Sequence, residues 1–132
     1  MTQAGALAPW AFEVQRVEKP WGYELIWAVS EIYVGKVLFV KAGHSLSLQY
    51  HEEKDESWLV QSGRARIELG AVGDDGLAVE EVTAGAAFRY RPHTVHRITA
   101  VEDTTILEVS TPHLEDVVRL EDSYGRAGTS AP

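Results

Sequence analysis

The stretch LSLQYHEEKDESWLV, residues 46–60, places a turn rich in charged residues between two segments that contain apolar residues. Side chains alternate between the two faces of a β-strand, so Ser47, Gln49 and His51 share one face of the first segment. After the charged turn, an antiparallel return brings Glu56 opposite His51. The stretch therefore predicts a hairpin that gathers oxygen and nitrogen donors on one side.

Outward from this hairpin, short apolar or alternating segments recur along most of the chain. They lie at residues 23–27, 36–41, 46–51, 58–61, 65–69, 77–82, 87–90, 95–99 and 105–109. Gly73-Asp74-Asp75-Gly76 is a strong hairpin signal because such residues tolerate positive φ, and Ala42-Gly43 and Ser62-Gly63 mark two more reversals. The pattern predicts an all-β domain. One exception is LEDVVRL, residues 114–120, whose spacing predicts a short C-terminal helix.

Composition predicts a single small domain. The chain has 132 residues, 45% of them hydrophobic, which is enough for a substantial core. We expect one domain over residues 12–126, a flexible segment over residues 1–11 and a disordered tail over residues 127–132. Both ends are rich in small residues and proline and cannot bury much surface.

Charge and cysteine content narrow the classes of partner and compartment. A net charge of −8 opposes the positive field that nucleic acids and anionic membranes select, so we expect neither as a partner. The chain has no cysteine, which removes disulfides and thiolate ligands. The first ten residues lack the basic start and long apolar segment of a secretory signal. These observations predict a cytoplasmic protein with a small, diffusing partner.

A fourth donor to a metal ion comes from later in the chain. Arg91-Pro92-His93 forms a turn signal, and the strand that follows it contains His96. A lone histidine in an all-β chain is more often a hydrogen-bonded structural residue than a ligand. The spacing of His96 relative to the hairpin donors therefore decides whether it is a candidate ligand.

The spacing of these residues resembles the two motifs of the cupin family. The first motif is matched by Gly43, Gln49, His51, Glu56 and Gly63, with Gln49 in the place of a histidine, and the second by Gly85 and His96. The second motif departs from the family pattern in between, where Arg91 stands for a proline and His93 for a glycine. The resemblance implies a cupin jelly roll, also called a double-stranded β-helix. It also favours metal ligation by Gln49, His51, Glu56 and His96.

A narrower resemblance covers about residues 16–126. The Ser-x-Gln-x-His run at residues 47–51 looks like the metal-binding run of phosphomannose isomerases. The chain is similar to the isomerase domain that ends the bifunctional mannose-6-phosphate isomerase/mannose-1-phosphate guanylyltransferases. The segments that carry this similarity are Lys19-Pro20-Trp21-Gly22, residues 34–43, residues 46–49, Glu56-Ser57-Trp58, His96-Arg97 and residues 118–126. The chain departs from it at Glu52-Glu53-Lys54, where the family has a histidine-rich run ending in arginine.

The resemblance implies a metal-dependent sugar-phosphate isomerase. Its reaction interconverts mannose-6-phosphate and fructose-6-phosphate through an enediol, whose oxygen charge a cation stabilises. Family resemblance favours one Zn²⁺, and the donor set also suits Mn²⁺, Fe²⁺, Co²⁺ or Ni²⁺.

Further residues are candidates for contact with the phosphorylated sugar. We expect Ser47, Lys54 and Arg89 to bind the substrate, and Lys54 and Arg97 to act in catalysis. Strict alternation places Arg97 on the face opposite His96, so its role requires a local twist or bulge. The general base stays open among His44, His93, Glu53 and Lys54.

Three alternatives remain on the same scaffold. A metal-dependent oxygenase predicts iron and oxygen consumption, and a sugar epimerase predicts turnover without metal. A non-catalytic metal-binding or sugar-binding module fits the altered turn at residues 52–54.

The sequence also predicts a homodimer, because unpaired strand edges and the aromatic segment at residues 10–27 are commonly covered by a partner.

Overall fold

The computed structural model describes residues 5–128, and this part of the chain folds into two antiparallel sheets that pack face to face. A short 3-10 helix, Gly5–Trp10, precedes the strands. The strands are β1 Gln15–Lys19, β2 Gly22–Val29, β3 Val34–Val40, β4 Leu48–Tyr50, β5 Glu56–Ser62, β6 Arg64–Ala71, β7 Ala78–Thr83, β8 Ala87–Tyr90, β9 Thr94–Ala100, β10 Thr104–Ser110 and β11 Val118–Glu121.

The connections between strands cross repeatedly from one sheet to the other. The six-stranded sheet has the order β1-β2-β3-β10-β5-β8, and the five-stranded sheet has the order β11-β4-β9-β6-β7. The hairpin of β4 and β5 therefore contributes one strand to each sheet. Neighbours such as β3 and β10 are far apart in sequence, which is the hallmark of a jelly roll. The all-β jelly-roll prediction is confirmed.

Inward-facing rows of the six-stranded sheet change from apolar to charged along each strand. On β3 the buried row runs from Val40 through Leu38 to Lys36. On β5 the row Val60, Trp58, Glu56 makes the same change, and on antiparallel β10 Ile106 is followed by Glu108. The register aligns Glu108 with Lys36 on one side and with Trp58 on the other. The space between the sheets therefore holds an apolar core at one end and a buried charged pocket at the other.

The apolar end of the sandwich is filled by side chains from both sheets. This core includes Trp21, Leu38, Val40, Leu46, Trp58, Val60, Ala65, Ile67, Val82, Tyr90, Ile98, Ala100 and Ile106. Two-sided packing of this kind provides most of the favourable free energy of folding. It also gives the polar end of the sandwich a rigid frame.

Two turn glycines provide a matched test of backbone constraint. Gly63 has a φ of +100°, and a Cβ built on it would lie 2.3 Å from the Asp103 carbonyl oxygen. Gly43 has a φ of +82°, and a Cβ there would meet nothing within 4 Å. We expect Gly43→Ala to cost about 1–2 kcal/mol from its left-handed backbone. Gly63→Ala adds a steric clash, for a total of about 2–5 kcal/mol. Denaturant unfolding of both variants checks this, and equal destabilisation would contradict it.

The predicted C-terminal helix over residues 114–120 is wrong. Leu114 and Glu115 lie in a turn, and β11 begins at Val118. β11 pairs with β4, which aligns Arg119 with Gln49. The apolar spacing that favoured a helix is overridden because β4 offers backbone partners to an otherwise unpaired segment. The strand β1 was also not predicted, since its sequence QRVEK has too little apolar character.

Several predictions about the ends and partners of the chain stay predictions. The domain boundaries are among them. Residues 1–4 of the predicted flexible segment and residues 129–132 of the predicted tail lie outside the described residues. Apolar side chains are exposed on β2, β5 and β10, including Trp27, Leu59 and Val109, but the predicted homodimer is not tested by them. Within residues 5–128, no helix has the length and hydropathy needed to cross a membrane.

Candidate metal and substrate site

The polar end of the sandwich contains a pocket with an unusual density of ionisable side chains. Its cations are Lys19, Lys36, Lys54, Arg119 and Arg126, and its acidic and imidazole groups are Glu24, His51, Glu56, Glu108 and Asp116. Ser47 and Gln49 line it as well. Charged groups are rarely buried unless they are paired or bind something. The pocket is therefore the candidate functional site.

Three of the four predicted metal donors converge at the wall of this pocket, and two of them, His51 and Glu56, line it. His51 directly follows β4, Glu56 begins β5 and His96 lies on β9, and all three are buried. Glu56 Oε2 lies 2.6 Å from His51 Nε2 and 3.1 Å from His96 Nε2. Donor atoms of the three residues lie within 4.8 Å of one another. Residues that are 45 positions apart in sequence thus face a common centre.

Both histidines are oriented by backbone carbonyl groups. His51 Nδ1 donates to the carbonyl oxygen of Asp116, and His96 Nδ1 donates to that of Thr94 over 2.9 Å. In metal-ligating histidines, an Nδ1 proton held by such an acceptor leaves Nε2 to bind the cation. In this structure His51 Nε2 hydrogen-bonds Glu56 Oε2 over 2.6 Å, in the place that a cation would take. His96 Nε2 is completely buried, and among the described residues it makes no well-aligned hydrogen bond, although Glu56 Oε2 lies 3.1 Å away. This donor set fits a divalent cation.

The fourth predicted donor lines the same pocket. Gln49 lies on β4, and its backbone is in register with His96 on the neighbouring strand β9. Ser47 Oγ donates to Gln49 Oε1 over 3.4 Å. The hairpin at residues 46–60 therefore delivers Ser47, Gln49, His51 and Glu56 to one pocket. Their roles as ligands or substrate contacts stay predictions.

Lys54 is part of a buried charge network next to the donor set. Its Nζ lies 3.5 Å from Glu56 Oε1 and 3.3 Å from Glu108 Oε2. Burial alone would lower the pKa of Lys54, but Glu108 and Glu56 outweigh it and raise the pKa. Burial would likewise raise the pKa of Glu56, yet Lys54 and the two histidines hold it well below its usual range. Glu56 is therefore an anion and Lys54 a cation at neutral pH.

Glu108 is a site residue that the sequence reasoning missed. It is buried on β10, and its Oε1 accepts a hydrogen bond of 3.0 Å from Trp58 Nε1. The same Trp58 N–H also points at Glu56 Oε1, 3.2 Å away. Burial raises the pKa of Glu108, and the negative charge of Glu56 adds to the rise, although Lys54 opposes it. A signal was available, because Glu108 stands in the inward phase of the alternating strand that contains Ile106.

The sequence reasoning also missed Lys36 and Glu24, whose side chains face inward as that of Glu108 does. Both are buried on inward-facing positions of β3 and β2, and Lys36 Nζ lies 3.3 Å from Glu24 Oε1. Strand alternation with an ionisable residue in the apolar phase was the available signal in each case. Arg119 and Arg126 carried no such signal, since they reach the pocket only through the unpredicted strand β11 and the turn after it.

Two predicted site residues lie away from the pocket. Arg97 points to the outer side of the five-stranded sheet, where its Nε donates to Glu68 over 2.8 Å. No bulge interrupts the pairing of β9 with β6, so strict alternation keeps Arg97 opposite His96. Arg89 is exposed on β8, and its Nη2 donates to Asp55 over 2.7 Å. The structure therefore does not bring Arg89 or Arg97 to the candidate site.

Of the four candidates for a general base, the structure brings one into the pocket. His44 Nδ1 lies 2.8 Å from Tyr124 Oη, and exposed His93 pairs with Glu52. Glu53 is exposed on the turn. Lys54 does line the pocket, but its raised pKa keeps it protonated. A lysine held in that state suits charge stabilisation rather than proton abstraction.

Asp116 fixes the turn that separates the two halves of the hairpin. Its carboxylate accepts the backbone N–H groups of Glu52, Glu53 and Lys54 over 3.0, 2.7 and 2.9 Å. Burial alone would raise the pKa of Asp116, but these three donors lower it below the ordinary value of 3.8. A residue 65 positions beyond His51 therefore sets both the turn and, through its carbonyl group, the orientation of that histidine.

This lowered pKa predicts a pH dependence of folding stability. Because the folded-state pKa is depressed, the contribution of Asp116 is present above the unfolded pKa of about 3.9 and is lost as the pH falls through the folded value. We expect Asp116→Asn to reduce the free energy of unfolding by about 1–3 kcal/mol at pH 7. The difference from the wild type shrinks below about pH 4. Urea unfolding between pH 2 and 7 checks this, with Asp75→Asn in an exposed turn as control. A difference that persists at pH 2 would contradict it.

Comparison with known proteins identifies the family. Residues 11–122 match the model of the mannose-6-phosphate isomerase C-terminal family. The chain belongs to this family. It is 35% identical over 119 residues to mannose-1-phosphate guanylyltransferase ManC of Salmonella typhimurium, which covers 85% of this chain and 23% of ManC. It is 31% identical over 118 residues to the xanthan biosynthesis protein XanB of Xanthomonas campestris, covering 85% and 24%. The chain thus spans about a quarter of the length of these relatives.

Solved structures identify the fold as that of the cupins. The capsular polysaccharide assembling protein CapF of Staphylococcus aureus aligns with a TM-score of 0.73 at 19% identity, covering 86% of this chain and 33% of CapF. Oxalate decarboxylase of Bacillus subtilis, which has Mn(II) centres, aligns with a TM-score of 0.67 at 20% identity, covering 80% and 30%. KdgF from Halomonas covers 77% of this chain and 89% of its own, at 23% identity and a TM-score of 0.62. At these identities the likeness concerns the fold alone.

Proposed function

We propose that this cupin domain is a metal-dependent isomerase that interconverts mannose-6-phosphate and fructose-6-phosphate. The observation that carries the proposal is the buried convergence of His51, Glu56 and His96 at the wall of a pocket that also contains several cations. Membership of the isomerase C-terminal family supports the same reaction. The nucleotidyl transfer named for the relatives is not part of this proposal, because the chain matches only about a quarter of their length.

The donor set supports a single divalent cation, with zinc as the first candidate. His51, Glu56, His96 and Gln49 would hold it through two imidazole nitrogens and two oxygens. When bound, such a cation supplies Lewis-acid stabilisation of negative charge on the sugar oxygens. The same donors suit manganese, iron, cobalt and nickel, so the metal is to be identified by measurement.

Proton transfer is assigned to the charge network beside the donor set. In the reaction, a base takes the proton from C2 of the open-chain aldose and returns it to C1 of the enediol, while a proton moves from O2 to O1. Glu108 is the pocket carboxylate that adjoins the donor set through Trp58 without belonging to it. A raised pKa brings such a carboxyl group closer to the value that suits proton exchange near neutral pH.

Lys54 is given an electrostatic role in the same step. It is buried between Glu56 and Glu108 and stays protonated. A fixed ammonium group in a pocket of low dielectric stabilises the negative charge that develops on the enediol. Ser47, buried on the same wall as Gln49, is a hydroxyl donor for the sugar. The small phosphorylated sugar is thus the proposed ligand.

Metal analysis combined with turnover tests the proposal. The purified full chain is analysed for metal content, and turnover of mannose-6-phosphate is measured before chelation, after chelation and after metal is restored. We expect about one metal ion per chain, loss of turnover on chelation and recovery on reconstitution. A chain with a full metal content and no turnover would refute the isomerase and leave a metal-binding cupin. Oxygen consumption would indicate an oxygenase instead, and turnover that survives chelation a metal-independent epimerase or isomerase.

A further inference from the structure

We propose that Lys19, Arg119 and Arg126 form an anion subsite that binds the phosphoryl group of the substrate in the same pocket as the donor set. The identity of the sugar phosphate rests on the proposed function, whereas the subsite itself rests on the pocket. Neither Arg119 nor Arg126 was among the residues expected to contact substrate. Lys54 and Arg89 were expected to contact the substrate, but Lys54 pairs with Glu56 and Glu108, and Arg89 pairs with Asp55.

The three cations come from separate parts of the chain and meet in one pocket. Lys19 ends β1, Arg119 lies in the middle of β11, and Arg126 lies in the turn that follows β11. Such a meeting is not a by-product of one basic segment, since more than 90 residues separate Lys19 from the other two. The backbone hydrogen bond of 2.9 Å from Gly128 N to Arg119 O holds the C-terminal turn against β11.

Strand register sets the position of the subsite relative to the donor set. Arg119 is aligned with Gln49 on β4, and Gln49 is aligned with His96 on β9. Adjacent strands lie about 4.8 Å apart, so the backbones of Arg119 and His96 are separated by roughly 10 Å. A hexose 6-phosphate carries its reacting carbons, C1 and C2, at one end and its phosphate at the other. The register therefore lets one ligand reach both places.

Burial and charge indicate that this part of the pocket is built for an anion. Arg119 and Arg126 are each only 8% exposed in a protein whose net charge is −8. Burial and the charge of Arg126 lower the pKa of Arg119, although Asp122 opposes this. Burial, with the charges of Lys36, Arg126 and Arg119, lowers the pKa of Lys19, although Glu24 opposes this. These three cations therefore line one pocket together, where a bound phosphoryl group would lie among positive charges.

The geometry of the guanidinium groups favours a phosphoryl group. Asp122 holds Arg126 through contacts of 3.0 Å to Nε and 2.9 Å to Nη2, which fixes that side chain in place. Planar guanidinium groups bind phosphate oxygens through paired, charge-assisted hydrogen bonds. Lys54 contacts Glu56, a member of the donor set, and Glu108, and Arg89 lies outside the pocket, so neither is assigned to the subsite. The residues proposed to bind phosphate therefore lie on β1, on β11 and in the turn after β11, and not on the hairpin.

Direct binding measurements on the full chain test the subsite. Calorimetric titrations use mannose-6-phosphate, mannose and inorganic phosphate as ligands. We expect the wild type to bind mannose-6-phosphate and inorganic phosphate, and Arg119→Gln and Lys19→Gln each to weaken both by about 10- to 100-fold. Affinity for mannose stays unchanged. Arg119→Lys restores part of the affinity because it keeps the charge.

The control and the second variant keep the test decisive. Arg89→Gln removes an exposed cation outside the pocket and is expected to leave all three affinities unchanged. If Arg119→Gln fails to fold, as judged by circular dichroism, Lys19→Gln at the half-buried end of β1 provides the result. Wild-type affinities for phosphate and mannose-6-phosphate in folded Arg119→Gln or Lys19→Gln would overturn the subsite.

Failure of the subsite and failure of the isomerase give different results. If the chain turns over mannose-6-phosphate with a KM that the two variants leave unchanged, the subsite is refuted and the isomerase stands. If the chain has no turnover but loses phosphate binding in both variants, the subsite stands and the isomerase is refuted. When both proposals hold, the variants raise KM far more than they lower kcat.

Discussion

Glu56→Gln is expected to leave the protein without bound metal and to lower turnover of mannose-6-phosphate by about 1,000-fold or more. Glu56 is the anionic member of the donor set, and its Oε2 contacts both His51 Nε2 and His96 Nε2. The substitution keeps the shape of the side chain but removes the charge that attracts the cation. Metal content by elemental analysis and turnover are measured on the same sample.

A matched control for this variant lies three residues away. Glu53 is exposed on the turn, so Glu53→Gln makes the same chemical change outside the pocket. We expect Glu53→Gln to retain metal content and turnover. A Glu56→Gln protein that keeps one metal ion per chain and wild-type turnover would show that the convergence of these donors is structural, and the proposed function would fall with it.

Glu108→Gln is expected to separate proton transfer from metal binding. The variant keeps its metal, because Glu108 is outside the donor set, but kcat falls by about 100- to 10,000-fold as the proposed base is lost. Lys54 also loses one of its two carboxylate partners, at 3.3 Å. Thermal unfolding therefore accompanies the kinetics, so that loss of activity is compared with any loss of stability.

The readouts for Glu108→Gln are metal content, kcat and solvent hydrogen exchange at C2 of the sugar. Exchange stops with turnover if Glu108 moves the proton. Glu80→Gln, an exposed glutamate on β7, is the control and is expected to behave as the wild type. Undiminished exchange and turnover in Glu108→Gln would remove Glu108 from the proposed mechanism while leaving the metal site in place.

The strands of this protein were accessible to sequence reasoning because their signal is local. Alternation and turn residues predicted nine of the strands, from residues 23–27 to residues 105–109, within a few positions of their observed bounds. The hairpin at residues 46–60 is the best case, since its period places Ser47, Gln49 and His51 on one side before any fold is assumed. The turns at Gly43 and Gly63 were also predictable, because glycine tolerates the positive φ that both residues adopt.

The errors arose where distant segments decide the local structure. Residues 114–120 have a helical spacing, but pairing of β11 with β4 and the contacts of Asp116 with residues 52–54 determine their conformation. Arg97 is adjacent in sequence to His96, yet alternation places it with Glu68 on the other side of the sheet. Sequence proximity to a site residue was a poor guide in a strand, where neighbours face opposite ways.

By itself, the sequence determined the all-β class, the turns and which side chains of each strand share a face, because these depend on dihedral preferences and a two-residue period. The tertiary structure alone decided which faces meet. It joined Glu108 of β10, Lys36 of β3 and Arg119 of β11 to the hairpin donors in one pocket. Strand order and register fix such meetings through hydrogen bonds and burial between segments far apart in the chain, and no local pattern encodes them.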